Sequence, residues 1–206
     1  MLIGLVTDIH DQVEPLRRAL QLFRERGVDA VVSLGDACDA FTPCSRCGEV
    51  VDLLRQANAV GVWGNHDFGL CQQVSDRIRE RFPAEVLEFM ATIRPRLVID
   101  GCHMSHIEPC VDPLDVRALW TFDEEGPLDM VGRAQRSFAA VDERFMFIGH
   151  YHRRLILTPR GPLDWRAEGA VTLLGEQRYF VVVGAVFQGH CGIFDTARSE
   201  LWPVRC

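Results

Sequence analysis

Leu2-Ile3-Gly4-Leu5-Val6-Thr7-Asp8-Ile9-His10 begins as a short apolar run and ends on a carboxylate and an imidazole two residues apart. The same pattern returns three times. Ala30–Leu34 leads into Gly35-Asp36, Ala59–Trp63 into Gly64-Asn65-His66-Asp67, and Phe145–Ile148 into Gly149-His150-Tyr151-His152. Apolar runs of about five residues separated by helical stretches read as buried parallel strands. The polar residues then lie just past the carboxyl ends of those strands, the edge where open α/β sheets place their sites.

Working outward, Val13, Leu16, Leu20 and Phe23 fall at helical spacing, so Val13–Arg26 is expected to be a helix ended by Gly27. Val50, Leu53 and Leu54 mark a second, about 48–59, and a longer helical stretch covers roughly 70–93, broken near Pro83. This strand–helix alternation implies a parallel sheet with right-handed crossovers. The second half reads mainly as strands: 96–100, 102–105, 145–148, 153–157, 170–174, 179–186, 190–194 and 201–204. One helix, about 129–141, interrupts them. Late strands joined by short turns suggest a second, mixed or antiparallel sheet. The expected fold is α/β: a four-layer α-β-β-α sandwich of two mixed sheets flanked by helices, in a single domain over 1–206.

Composition narrows the function. A chain of 206 residues that is 48% hydrophobic can build one substantial core. No apolar run approaches the roughly 20 residues of a membrane span, and the N-terminus enters a strand with no basic leader. A soluble cytoplasmic protein is expected. The net charge of −7 argues against a general nucleic-acid binder. It leaves phosphorylated substrates open, because bound cations reverse the local field. Every basic residue is Arg, which excludes a lysine-dependent mechanism.

Asp8 and His10 alternate on an extended segment, so both side chains point the same way. A carboxylate and an imidazole so placed suit one metal ion. Asp36 can bridge two cations through its two oxygens, Asn65 offers a neutral oxygen, and His150 and His152 again alternate. Mixed N/O ligation fits Mn, Fe, Zn, Co or Ni better than Ca. Two such metals about 4 Å apart polarise a phosphoryl group and supply hydroxide near neutral pH.

The set Asp-x-His, Gly-Asp, Gly-Asn-His-Asp, a lone His and Gly-His-x-His, in this order, resembles the calcineurin-like metallophosphoesterase superfamily. The small size, and the wording around Gly48–Arg55 and Ser105–Asp115, are similar to its small bacterial phosphodiesterase branch. The resemblance implies one divalent or trivalent metal on Asp8, His10, Asp36 and His152, and a second on Asp36, Asn65, His106 and His150. It selects His106 over His103 as the lone His, because Ser105-His106-Ile107-Glu108-Pro109 resembles the family's His-Gly-Ser-Pro turn. It further implies catalytic roles for His66, as general acid on the leaving oxygen, and Asp39, as the carboxylate that orients it. The activity implied is hydrolysis of a small phosphomonoester or phosphodiester by in-line attack of a metal-bridging hydroxide.

Two departures from the family pattern stand out. Asp39 is followed by Ala40-Phe41 instead of Arg-Gly, which argues against a protein phosphatase. Ile107 stands where Gly is common. The alternative functions are a nuclease of the same superfamily and a non-catalytic interaction scaffold. Arg46 and Arg153 are candidate contacts to substrate phosphate. Asp67 is expected to bond backbone or stabilise the turn after Asn65, Trp63 to pack in the core, and His190 to be structural. The eight cysteines, absent a secretory signal, read as thiols. For Cys38, Cys44, Cys47 and Cys71 the alternatives are a zinc site and a Cys44/Cys47 redox pair.

Overall fold

Residues 1–41, 46–120 and 129–206 are described by the computed structural model. Strand β1 (Leu2–Val6) shows how its layers arise. Ile3 and Leu5 enter one apolar cluster, while Leu2 and Val6 enter another with the buried residues of helix α1 (Val13–Glu25). The period of two along a strand sends alternate side chains to opposite faces, so one strand feeds two layers. Helix α1 buries Val13, Leu16, Ala19, Leu20 and Phe23, a stripe at spacings of three and four.

The first sheet continues with β2 (Ala30–Ser33) and β3 (Val60–Gly61), both parallel to their neighbours. Helix α2 (Cys47–Gln56) connects them. Three short helices then follow: α3 (Phe68–Cys71), α4 (Asp76–Arg81) and α5 (Ala84–Met90). The second sheet opens with β4 (Leu97–Ile99) and β5 (Cys102–Met104). After α6 (Val116–Leu119) and α7 (Met130–Ala140) come β6 (Phe145–Ile148), β7 (Leu155–Thr158) and β8 (Gly161–Pro162). The chain returns to the first sheet for β9 (Val171–Thr172), to the second for β10 (Tyr179–Val182), and to the first for β11 (His190–Asp195) and β12 (Glu200–Arg205).

The two sheets have six strands each, in the orders β3-β2-β1-β11-β12-β9 and β4-β5-β6-β10-β7-β8. Both are mixed, since β1 runs antiparallel to β11 and β10 runs parallel to β6 but antiparallel to β7. Between the sheets lie Ile3, Leu5, Phe145, Phe147, Tyr179, Val181 and Phe194. Outside the second sheet, Met146, Ile148, Phe180 and Val182 meet Met130, Ala134 and Phe138 of α7. This is the expected four-layer α-β-β-α sandwich.

Strand register positions the site. Val6 pairs with Ser33 and Ser33 with Gly61, so the segments after β1, β2 and β3 leave one sheet edge side by side. In the second sheet Met104 pairs with Phe147, which aligns the exits of β5 and β6.

Several expected boundaries move. The helical stretch at 70–93 divides into three: Gln73 has a left-handed backbone, and Ser75 caps α4 by accepting from the Ile78 amide. The run Ala59–Trp63 keeps only Val60 and Gly61 in the ladder, with Val62 bridging to Arg94. The strand expected over 179–186 stops at Val182, and a 3₁₀ turn covers Val186–Gln188.

Candidate metal centre

Asp8 sits two residues past β1, fully buried. Its Oδ2 accepts hydrogen bonds from Thr7 Oγ1 (2.8 Å) and from the His150 amide (3.0 Å). That last bond ties the turns of the two sheets together. Asp8 Oδ1 lies 3.2 Å from His152 Nε2 and 4.0 Å from His10 Nε2. Asp36, past β2, is 1% exposed. Its Oδ2 lies 3.8 Å from His10 Nε2 and 3.3 Å from His106 Nε2, while its Oδ1 accepts from the His66 amide. Asn65 Oδ1 lies between two imidazoles, 3.1 Å from His106 Nε2 and 3.0 Å from His150 Nδ1. All seven residues expected to ligate metal therefore converge.

The backbone beneath them is strained. Asp8, His10, Asp36, His150 and His152 all have positive φ, between 45° and 66°. A left-handed non-glycine residue costs on the order of 1–3 kcal/mol, and such residues cluster where a site demands an unusual side-chain direction. Close packing accounts for two of the motif glycines. A Cβ on Gly64 would collide with the Asp36 carboxylate, and one on Gly149 with the Thr7 hydroxyl.

This donor set fits cations. Asp8 Oδ1 and His10 Nε2 are buried with no hydrogen-bond partner among the described residues. Three overlapping groups of donor atoms each lie within 4.8 Å of one another: Asp8/His10/His152, Asp8/Asp36/His106 and His10/Asp36/His66. Burial opposes ionisation of Asp36, yet the imidazoles of His106 and His10 hold its carboxyl well below the usual range. Burial also lowers the His106 pKa, but the Asp36 carboxylate outweighs it and raises the ring to about 9. His150 is pushed down to about 4, first by burial and then by the charge of His106.

His66 and Asp39 form a pair at the rim, with His66 Nδ1 3.4 Å from Asp39 Oδ1. Asp67 has a structural task. Its buried carboxylate accepts from the amides of Ala37 (3.2 Å), Cys38 (2.9 Å) and Gly64 (3.2 Å). It thereby joins the segment carrying Asp36 to the segment carrying Asn65. Burial and the charge of Asp36 push its pKa up to about 7, against the pull of those three donors.

His103 does not reach the cluster. It is buried on β5 with its Nδ1 3.8 Å from Glu143. Arg46 donates to Glu14 and Glu49 at 2.7–3.1 Å, which ties its guanidinium to α1 and α2. Arg153 is exposed next to His152. His190 is half-buried at the start of β11, and Trp63 packs in the core, donating to the Pro113 carbonyl.

The cysteine reading needs correction. Cys38 and Cys47 are joined in a disulfide, Cα–Cα 5.5 Å, because the segment after Asp36 folds back onto the first turn of α2. The disulfide overturns the reading of Cys38 and Cys47 as thiols and takes Cys47 from the alternative Cys44/Cys47 pair; Cys44 lies outside the described residues. Cys71 is a buried free thiol whose pKa burial raises.

Two features have no motif in the sequence. Glu108, 2% exposed, accepts from Arg133 (2.6 Å) and from the Tyr151 hydroxyl (2.7 Å). This charged triad pins α7 and the Gly149–His152 turn to the turn bearing His106. Aromatic rings also border the histidines. Trp120 lies 4.8 Å from His66, Phe41 6.4 Å from His66, and Phe187 4.9 Å from His152.

Among the described residues no helix is long and apolar enough to cross a membrane. Residues 1–189 match the model of the calcineurin-like phosphoesterase superfamily domain. A crystal structure of a metallophosphoesterase from Sphaerobacter thermophilus superposes with a TM-score of 0.77 at 23% identity, covering 100% of this chain and 88% of that one. An uncharacterised protein of Methanocaldococcus jannaschii is 24% identical over 200 residues, 93% of this chain and 79% of its own length. A phosphodiesterase of the same organism is 31% identical over 72 residues, 35% of this chain and 40% of its own length. The chain belongs to the calcineurin-like phosphoesterase superfamily, a family of metal-dependent hydrolases of phosphoric esters.

Proposed function

We propose that the chain, acting as a single domain, is a binuclear phosphoesterase that hydrolyses small phosphomonoesters or phosphodiesters. One metal is held by Asp8, His10, Asp36 and His152, the other by Asp36, Asn65, His106 and His150. The ions come from the Mn, Fe, Zn, Co and Ni group favoured by mixed N/O donors. Asp36 carries this reading: one buried carboxylate oxygen faces His10 on one side and His106 on the other. When bound, two such cations polarise the phosphoryl oxygens and lower the pKa of water.

The chain's own groups supply the rest. Asp39 lies on the Nδ1 side of His66, which leaves Nε2 as the nitrogen that gives a proton to the departing alkoxide. Asp67 and the Glu108 triad hold the segments bearing these groups in place, so little reorganisation is needed during reaction. Arg46 and Arg153 are the basic candidates for contact with a substrate oxygen.

The test uses protein reconstituted with each metal in turn. Two ions per chain and hydrolysis of p-nitrophenyl phosphate or bis-p-nitrophenyl phosphate are expected, with stoichiometry falling in Asp36→Asn. No hydrolysis with any of these metals would remove the proposal.

A further inference from the structure

The exposed aromatic residues are not scattered. Among the described residues the large apolar side chains left exposed include three aromatics: Phe41 (62%), Trp120 (36%) and Phe187 (38%). Each of them touches a histidine of the site. Trp120 lies against His66 with ring centroids 4.8 Å apart, and Phe41 meets both His66 (6.4 Å) and Trp120 (5.6 Å, edge to face). Phe187 lies edge-on to His10 (5.5 Å) and His152 (4.9 Å). Exposed aromatic rings grouped around one site mark a surface kept for binding.

We propose that Trp120, buttressed edge to face by Phe41, is the stacking surface for the planar base of a nucleoside leaving group, with Phe187 as a further apolar contact beside His10 and His152. The assignment rests on the phosphoesterase reading. His66 marks the leaving-group side of phosphorus, because it is the group placed to protonate the departing oxygen. Phe41 and Trp120 flank His66, so whatever the departing oxygen is attached to must pass over their rings. The chemistry of the platform selects the occupant. Phe41 and Trp120 meet edge to face, so one ring can present its π-face to a planar group while the other contacts that group's edge. A neutral planar heterocycle suits such a surface, and stacking of a base on an aromatic side chain is worth about 1–3 kcal/mol. The triad Phe41, Trp120 and Phe187 would therefore set specificity, while the metal ligands set the reaction.

The test compares esters that differ only in the leaving alcohol, on the metal-loaded full chain. Adenosine 5′-phosphate is paired with n-propyl phosphate, and methyl adenosine 5′-phosphate with methyl n-propyl phosphate. Each pair shares a primary alkoxide leaving group. The expected result is a kcat/KM at least about tenfold higher for the nucleoside ester, that ratio falling about tenfold in Trp120→Ala and staying high in Trp120→Phe. Equal handling of the two esters by the wild-type chain overturns the platform, and so does an unchanged ratio in Trp120→Ala. These comparisons still stand if p-nitrophenyl phosphates are hydrolysed, so the platform can fail while the phosphoesterase reading survives. Absence of all ester hydrolysis overturns both.

Discussion

Removing the Asp67 side chain should loosen the site without touching a metal-facing atom. In Asp67→Ala the amides of Ala37, Cys38 and Gly64 lose their shared acceptor at 2.9–3.2 Å. The position is 1% exposed, so water does not readily replace it. Hydrogen bonds to a charged acceptor contribute about 1.5–3 kcal/mol each, but the three share one carboxylate and are not additive. The burial that raises the Asp67 pKa also discounts the gain, because part of each bond offsets desolvation. A net loss of about 3 kcal/mol follows. For a chain of this length that corresponds to a fall in Tm of roughly 6–12 °C. The assay is thermal unfolding in excess chelator, so that linked metal binding does not mask the difference. Metal content after reconstitution should drop in parallel, since Asp36 and Asn65 lie on the two segments that Asp67 joins. A Tm change below 2 °C, with metal content preserved, would show that these segments hold their shape unaided and that the reasoning is wrong.

Other substitutions separate chemistry from architecture. Glu108→Ala removes a buried carboxylate from Arg133 and from the Tyr151 hydroxyl and should cost about 1.5–3 kcal/mol in denaturant unfolding, whereas Tyr151→Phe should cost about 1 kcal/mol. His66→Ala should retain the metal content of the wild type and lose about 10²–10⁴-fold in kcat; unchanged turnover would remove its role as acid. His103 is pulled down by burial, with a smaller opposing pull from Glu143, and its Nε2 has no hydrogen-bond partner among the described residues. Its folded pKa lies below the unfolded value, so the unfolded chain binds the proton first and stability falls as pH drops through about 6.5. His103→Gln should therefore lose less stability than wild type between pH 7.5 and 5, read by urea unfolding at each pH.

Much of the architecture was legible because its cause is local. The alternation in Leu2–Val6 and Phe145–Ile148 assigns residues to layers, and the polar residues that follow mark the strand exits. The seven residues that converge at the site could be found because each sits in a short motif next to a strand end. What escaped the sequence depends on contacts between distant segments. Nothing near Glu108 announces Arg133, 25 residues away, and Trp120 has no spacing that ties it to His66. The Cys38–Cys47 disulfide was misread because compartment statistics say nothing about how closely a particular loop returns. The helical stretch at 70–93 failed for the opposite reason. Local signals at Gln73 and Ser75 broke a periodicity that looked continuous.

The strand order also bears on the sequence of events during synthesis. β1, which leads into Asp8 and His10, is flanked in the finished sheet by β2 and by β11, the strand at His190–Asp195. Until that late strand emerges from the ribosome, β1 presents an open edge and the apolar layer beneath it lacks Phe194. His150 and His152, meanwhile, come from a strand made about three-quarters of the way along the chain. A site that needs His150 beside Asp8 closes only after that separation is spanned, and β1 keeps an open edge until β11 is made.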